Sequence, residues 1–271
     1  MFKNTDSGNR ILRDESVLHS EHDAIEPVGR DDEIERIATA IEPLAHRRNA
    51  DDLLVYGPSG VGKTTCVRHV FRNLDTETRV ETVWINCWQY NTRPSLLTEL
   101  LVELGYPVPR KGKPVDELLS KLQEWLDKNR CIAVALDEFD QLDEKTEIAY
   151  DLQLLNEKTD NHLGVVMISN QPPSNLELDP RSQSRLNYQP VEFQPYTRDE
   201  LVRILEDRAE NAFYPGKVSR AALERIADQN LNSDEGDCRK AIAHLLRAGR
   251  LAERKGNSEI TETVVESGSY S

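Results

Sequence analysis

Up to Pro195 the chain alternates between two kinds of apolar pattern. Over residues 33–44, Ile34, Ile37, Ile41 and Leu44 recur at three- and four-residue steps, which predicts a helix with one buried stripe. Residues 53–56 form a short, unbroken apolar run, as expected of a strand buried on both faces, and a glycine-rich turn follows at once. Residues 82–86, 132–136 and 165–169 predict three further strands of this kind, with helical stretches such as 96–104 and 115–126 between them. Such strands, alternating with helices, describe an α/β fold in which helices cover both faces of a parallel sheet.

Beyond Pro195 the period is helical only. Thr197-Arg198-Asp199-Glu200 is a capping box that opens a helix with Leu201, Ile204 and Leu205 on one face. Ser219 caps a second helix carrying Ala222, Leu223 and Ile226, and a third carries Ala241, Ile242, Leu245, Leu246 and Ala248. Residues 196–271 therefore read as a small all-α domain after an α/β base of residues 21–195. Residues 1–20, polar and without clear period, read as an N-terminal arm that ends by docking.

Charge narrows the choice of function. The 271 residues carry 34 Lys+Arg against 48 Asp+Glu, a net charge of −14. A chain that grips duplex DNA with its general surface is usually basic, because phosphate contacts drive that affinity. Two explanations of the acidity stay open. Either the protein does not bind DNA on its own, or its surface is acidic to remain hydrated in a salt-rich, halophilic cytoplasm. No window approaches the roughly 18 uninterrupted apolar residues of a membrane span, and residues 1–10 hold no apolar signal core, so a cytoplasmic chain with no membrane partner is expected. Cys66, Cys87, Cys131 and Cys238 stand singly, which predicts buried thiols in a reducing compartment.

The chemistry is concentrated around the first strand. Gly57-Pro58-Ser59-Gly60-Val61-Gly62-Lys63-Thr64 matches G-x-x-x-x-G-K-[ST] directly after a strand and before a helix, the context that a phosphate-binding P-loop requires. Its glycines let main-chain N–H groups turn toward phosphate oxygens, and the helix N-terminus adds partial positive charge. Lys63 is placed to reach the β- and γ-phosphates of ATP and Thr64 to coordinate Mg²⁺, with Thr65 continuing the cradle. The third strand ends in Asp137-Glu138, which sets Asp137 beside the magnesium shell and Glu138 where it can orient and deprotonate a water aimed at the γ-phosphate. The fourth ends in Asn170, whose amide can hydrogen-bond that water if its strand lies between the other two.

These residues, taken in order, resemble the archaeal AAA+ replication initiators related to the origin recognition complex and cell-division-control protein six. The likeness spans nearly the whole chain. Pro27-Val28-Gly29-Arg30-Asp31-Asp32-Glu33-Ile34 looks like the family's adenine-side segment, Leu136-Asp137-Glu138-Phe139-Asp140-Gln141-Leu142 is similar to its acid motif, and Ile168-Ser169-Asn170 to its sensor-one strand. Leu178-Asp179-Pro180-Arg181-Ser182-Gln183-Ser184-Arg185-Leu186 looks like the arginine-finger segment, and Gly236-Asp237-Cys238-Arg239-Lys240-Ala241 resembles the sensor-two helix. The P-loop and acid motif are generic to many ATPases; the finger and sensor-two segments narrow the choice.

The resemblance implies several roles. Val28 and Gly29 would line the nucleotide, Tyr196 and Arg208 would contact it from the lid, and Arg239 would lean onto the γ-phosphate. Arg181 or Arg185 would face the ATP of a neighbouring protomer in a homo- or hetero-oligomer. Residues 90–104, after Asn86-Cys87, resemble the helical insertion that initiators place against DNA, with Arg93 among its few basic residues. Family members normally continue into a winged-helix domain beyond the lid, whereas here residues 260–265 look like the start of the last lid helix and the sequence ends at Ser271. The expectation is a slow, Mg-dependent ATPase acting in replication initiation, with nucleotide state controlling the lid and binding to DNA weak or shared with full-length relatives. A nucleotide switch that regulates partners without touching DNA is the competing class.

Overall fold

The architecture comes from a computed structural model, which describes residues 10–19, 26–106, 112–126, 131–158, 162–176, 187–233 and 236–268. It divides into two compact units, one comprising residues 30–58 and 63–193, the other residues 1–29, 59–62 and 194–271.

The larger unit is built on five strands, β1 (Asp52–Tyr56), β2 (Glu81–Asn86), β3 (Ile132–Asp137), β4 (Leu163–Ser169) and β5 (Tyr188–Glu192). All pair in parallel in the order β2-β3-β4-β1-β5. Every residue of β3 and β4 is buried, as the unbroken apolar runs require. Helices α1 (Asp31–Ile41) and α2 (Lys63–Glu77) lie against one face; α3 (Arg93–Glu103) and α5 (Lys145–Lys158) lie against the other, with α4 (Val115–Leu126) packed on both of them. Pro43 turns the end of α1 into a 3₁₀ turn, Glu42–His46, because a proline ring cannot continue the α-helical hydrogen-bond ladder.

β5 escaped the apolar pattern for a physical reason. It is an edge strand in which Val191 alone is buried, and Pro190 is tolerated because its missing N–H falls where no ladder bond is lost.

The smaller unit holds four helices among the described residues, α6 (Arg198–Ala212), α7 (Arg220–Ser233), α8 (Cys238–Lys255) and α9 (Glu262–Gly268). Thr197 and Glu200 close the capping box of α6 reciprocally, and Asp237 caps α8 by accepting from Arg239 N at 3.0 Å. Leu201, Leu205, Ile226, Leu245, Ile260 and Val265 form its core. The described part of the N-terminal arm belongs to that core: Ile11, Val17 and Leu18 are buried in it, and Leu12 forms an antiparallel bridge to Phe213. Truncating one such side chain, Leu245→Ala, removes about 2–5 kcal/mol. All four cysteines are free and buried. Among the described residues no helix is long and apolar enough to cross a membrane.

Candidate functional site

In a parallel sheet all strands point the same way, so the C-terminal ends of β1, β3 and β4 open onto one edge. β4 lies between β1 and β3, which places Asn170 between the P-loop strand and the acid-bearing strand. Lys63 is buried at this edge. Its Nζ donates to Gly57 O at 2.7 Å, Pro58 O at 2.6 Å and Asn170 Oδ1 at 3.0 Å. Gly57 is obligatory here, since a Cβ would come within 2.2 Å of the Phe193 carbonyl oxygen.

Beside Lys63, the Thr64 hydroxyl donates to Asp137 Oδ1 at 3.2 Å, and Glu138 N donates to the same oxygen at 3.1 Å. Burial pushes the Asp137 carboxyl above its ordinary range, against the opposing pull of these donors and of the Arg68 and Lys63 cations. Glu138 sits in the left-handed region, at φ 58° and ψ 42°, where few residues other than glycine settle. Just after it, Asp140 Oδ1 accepts from Asn170 N at 2.9 Å, so the acid loop and the end of β4 are joined directly.

The crown of the P-loop, residues 59–62, belongs to the helical unit. Cys238 N donates to Gly60 O at 3.1 Å, and the Arg239 guanidinium bonds the Ser59 hydroxyl. A Cβ at Gly60, where φ is +77°, would fall 1.9 Å from Asp237 Oδ1. Val61 is buried, and the Tyr196 hydroxyl lies against Gly62. Val28 packs on the same helical core and Gly29 approaches the Glu200 side chain. Arg208 is half-buried and donates to Val17 O at 3.4 Å; burial holds its guanidinium below the usual arginine range. Arg181 and Arg185 lie outside the described residues.

Thus the larger unit brings Lys63, Thr64, Asp137, Glu138 and Asn170 together, and in the smaller one residues 59–62 meet Tyr196, Asp237 and Arg239, while Val28, Gly29 and Arg208 make other contacts of the helical unit. Two participants were not assigned from sequence. Asp140 stood only within the acid motif, and Asp237 only within the segment that resembles the sensor-two helix.

Residues 46–172 match the family model of an AAA domain, and residues 202–269 match that of the Cdc6 AAA+ ATPase-type lid domain. An ORC1-type DNA replication protein of Pyrococcus abyssi is 32% identical over 97% of this chain and 65% of its own length. ORC1-type DNA replication protein 9 of Halobacterium salinarum is 33% identical over 95% of this chain and 71% of its own. The chain belongs to the ORC1-type DNA replication protein family. The solved ORC1 protein of Aeropyrum pernix in complex with DNA superposes on this ORC1-type chain with a TM-score of 0.84 at 27% identity, covering 97% of it and 70% of the solved chain. The ORC1-type chain thus spans about two thirds of the Pyrococcus abyssi relative. The shared fold is an AAA+ core with a five-stranded parallel sheet, followed by a helical lid.

Proposed function

We propose that this chain binds and hydrolyses ATP with magnesium and acts in the initiation or regulation of DNA replication. The observation that carries the reading is the cluster at the sheet edge, where the Lys63 ammonium, the Asn170 amide and the Thr64–Asp137 pair converge. Main-chain carbonyls and an amide oxygen now take the three ammonium bonds, and these are the bonds that phosphate oxygens would replace with stronger charge-assisted ones. Thr64 and Asp137 offer the hard oxygens that magnesium selects, and magnesium needs few protein ligands because it keeps several waters. Bound there, the metal would neutralise charge on the phosphates.

Glu138 acts as the base that takes a proton from the attacking water, and Asn170 orients that water through its amide. Val28, Gly29, Tyr196 and Arg208 contact the nucleotide and Arg239 reads its γ-phosphate, making lid position respond to ATP or ADP. Arg181 or Arg185 serves the ATP of a neighbouring protomer. DNA is engaged by this chain together with full-length relatives, a reading supported by the Aeropyrum pernix relative having been solved on DNA.

Two variants test the chemistry. Lys63→Ala weakens ATP binding more than tenfold, because each hydrogen bond to a charged group is worth about 1.5–3 kcal/mol. Glu138→Gln keeps ATP bound while turnover falls by about 10²–10⁴, the scale of general-base catalysis. Isothermal titration and a phosphate-release assay read the two. Normal nucleotide affinity in Lys63→Ala would falsify the site, and normal turnover in Glu138→Gln would move the base elsewhere.

A further inference from the structure

The exposed face of α8 has a charge opposite to that of the chain as a whole. Its residues Cys238–Lys255 carry Arg239, Lys240, Arg247, Arg250, Arg254 and Lys255 against a single acid, Glu253. That acid is turned inward, its Oε1 accepting from Ile11 N and Leu12 N at 2.9 and 3.0 Å. The buried face is equally defined, by Ala241, Leu245, Leu246, Ala248 and Ala252. Lys240, Arg247 and Arg254 are spaced by seven residues, so they drift only about 20° around the helix per step and form a nearly straight row about 21 Å long. All three are exposed.

Elsewhere in the chain, cations either sit beside acids, as in Lys113–Glu117, Lys121–Glu124 and Arg220–Glu224, or are scattered over separate segments, as Arg36 and Arg79 are. On α8, Arg250 pairs with Glu15, while Arg247 and Arg254 make no hydrogen bond or ion pair to any described residue. Arg247, Arg250 and Arg254 follow one another at three- and four-residue steps on the helix, a spacing that costs a few tenths of a kcal/mol per like-charged pair. An acidic chain that concentrates unscreened arginine on one helix is suited to a polyanion.

We propose that this row docks along the phosphate backbone of duplex DNA. A straight, regularly spaced line of cations is matched by a regularly spaced line of phosphates, one per roughly 3.4 Å along each strand, and the guanidinium fork grips phosphate in two hydrogen bonds. The insertion that resembles the family's DNA-facing element supplies little competing charge. Its Arg93 is held by Asp151 at 2.6 and 2.7 Å. The proposal rests on the reading that this chain engages DNA and adds which surface does so.

The test measures binding of the full chain, with ATP and magnesium, to a fluorescent duplex across a potassium chloride series. Arg247→Ala/Arg254→Ala lowers the slope of log affinity against log salt by about 2, since each phosphate contact contributes about 0.9. Arg247→Lys/Arg254→Lys restores most of it. Lys113→Ala/Lys121→Ala, which removes equal charge from the larger unit, leaves the slope unchanged. An unaltered slope in the double alanine variant overturns the row while leaving DNA engagement standing; no binding by the unmodified chain overturns both. An equal loss from the Lys113/Lys121 control means that only total charge matters, and the row is overturned. So it is if the alanine variant changes sedimentation mass instead of the slope, which would make a second acidic copy the occupant.

Discussion

At the scale of single residues, the least expected group is Asp52, at the entrance of β1. Its Oδ1 accepts from Val165 N at 2.9 Å, yet burial outweighs that bond, with Asp51 adding to the effect, and pushes its pKa up to about 6. The folded value lies above the ordinary 3.8 of an aspartate, so the folded chain holds the proton more tightly than the unfolded one. Stability is therefore highest below the unfolded value and is lost as pH rises through the window from about 4 to about 6. Asp52→Asn keeps the acceptor for Val165 and removes the charge. The expected outcome is a gain on the order of 1–3 kcal/mol at pH 7.5 and little change at pH 4, since one pKa unit corresponds to about 1.4 kcal/mol. Urea denaturation at the two pH values checks it; an equal effect at both would mean that the carboxyl is solvated in the folded chain. Sequence gave no hint of this, since Asp51-Asp52 looks like any polar turn before a strand, and burial is set by neighbours distant in the chain.

At the scale of elements, the strands were the legible part. Three apolar runs became β1, β3 and β4 because a strand covered on both faces has no polar side to interrupt the pattern, whereas β2, at a sheet edge, buries only Val83 and Ile85 in alternation. β5 was not legible, because at a sheet edge only Val191 needs to be apolar. The sheet order was equally out of reach from periodicity, and with it the fact that Asn170 meets Lys63. Arg93 shows a different blind spot. By sequence it was a candidate cation for DNA; in the structure it holds the start of α3 to α5, through two bonds to an Asp151 that is buried. Arg93→Ala strands that carboxylate, and breaking a buried pair costs about 3–5 kcal/mol, less here because the arginine is itself partly exposed. The melting temperature falls by several degrees, while ATP affinity, measured well below the transition, stays within twofold. A variant as stable as the parent would show that water re-solvates Asp151.

At the scale of the whole molecule, the net charge of −14 acts on every element at once. Self-repulsion of like charge disfavours the compact state, and salt screens it: the Debye length falls from about 10 Å at 0.1 M to about 3 Å at 1 M. The melting temperature therefore rises between 0.1 and 1 M potassium chloride, as read by scanning fluorimetry. A flat or falling curve would mean that local pairs such as Arg198–Asp228 outweigh the repulsion that salt relieves. The chemistry of the sheet edge was readable because a P-loop fixes spacing along the chain. The membership of residues 59–62 was not, because they join the helical unit through tertiary contacts that no local pattern encodes.

The left-handed backbone at Glu138 has its own consequence. Holding a branched-off carbon chain there costs on the order of 1 kcal/mol, which glycine would not incur. Screening variants for heat survival alone would thus favour Glu138→Gly, which on the proposed reading loses the base, so any campaign to harden this scaffold has to select for hydrolysis at the same time.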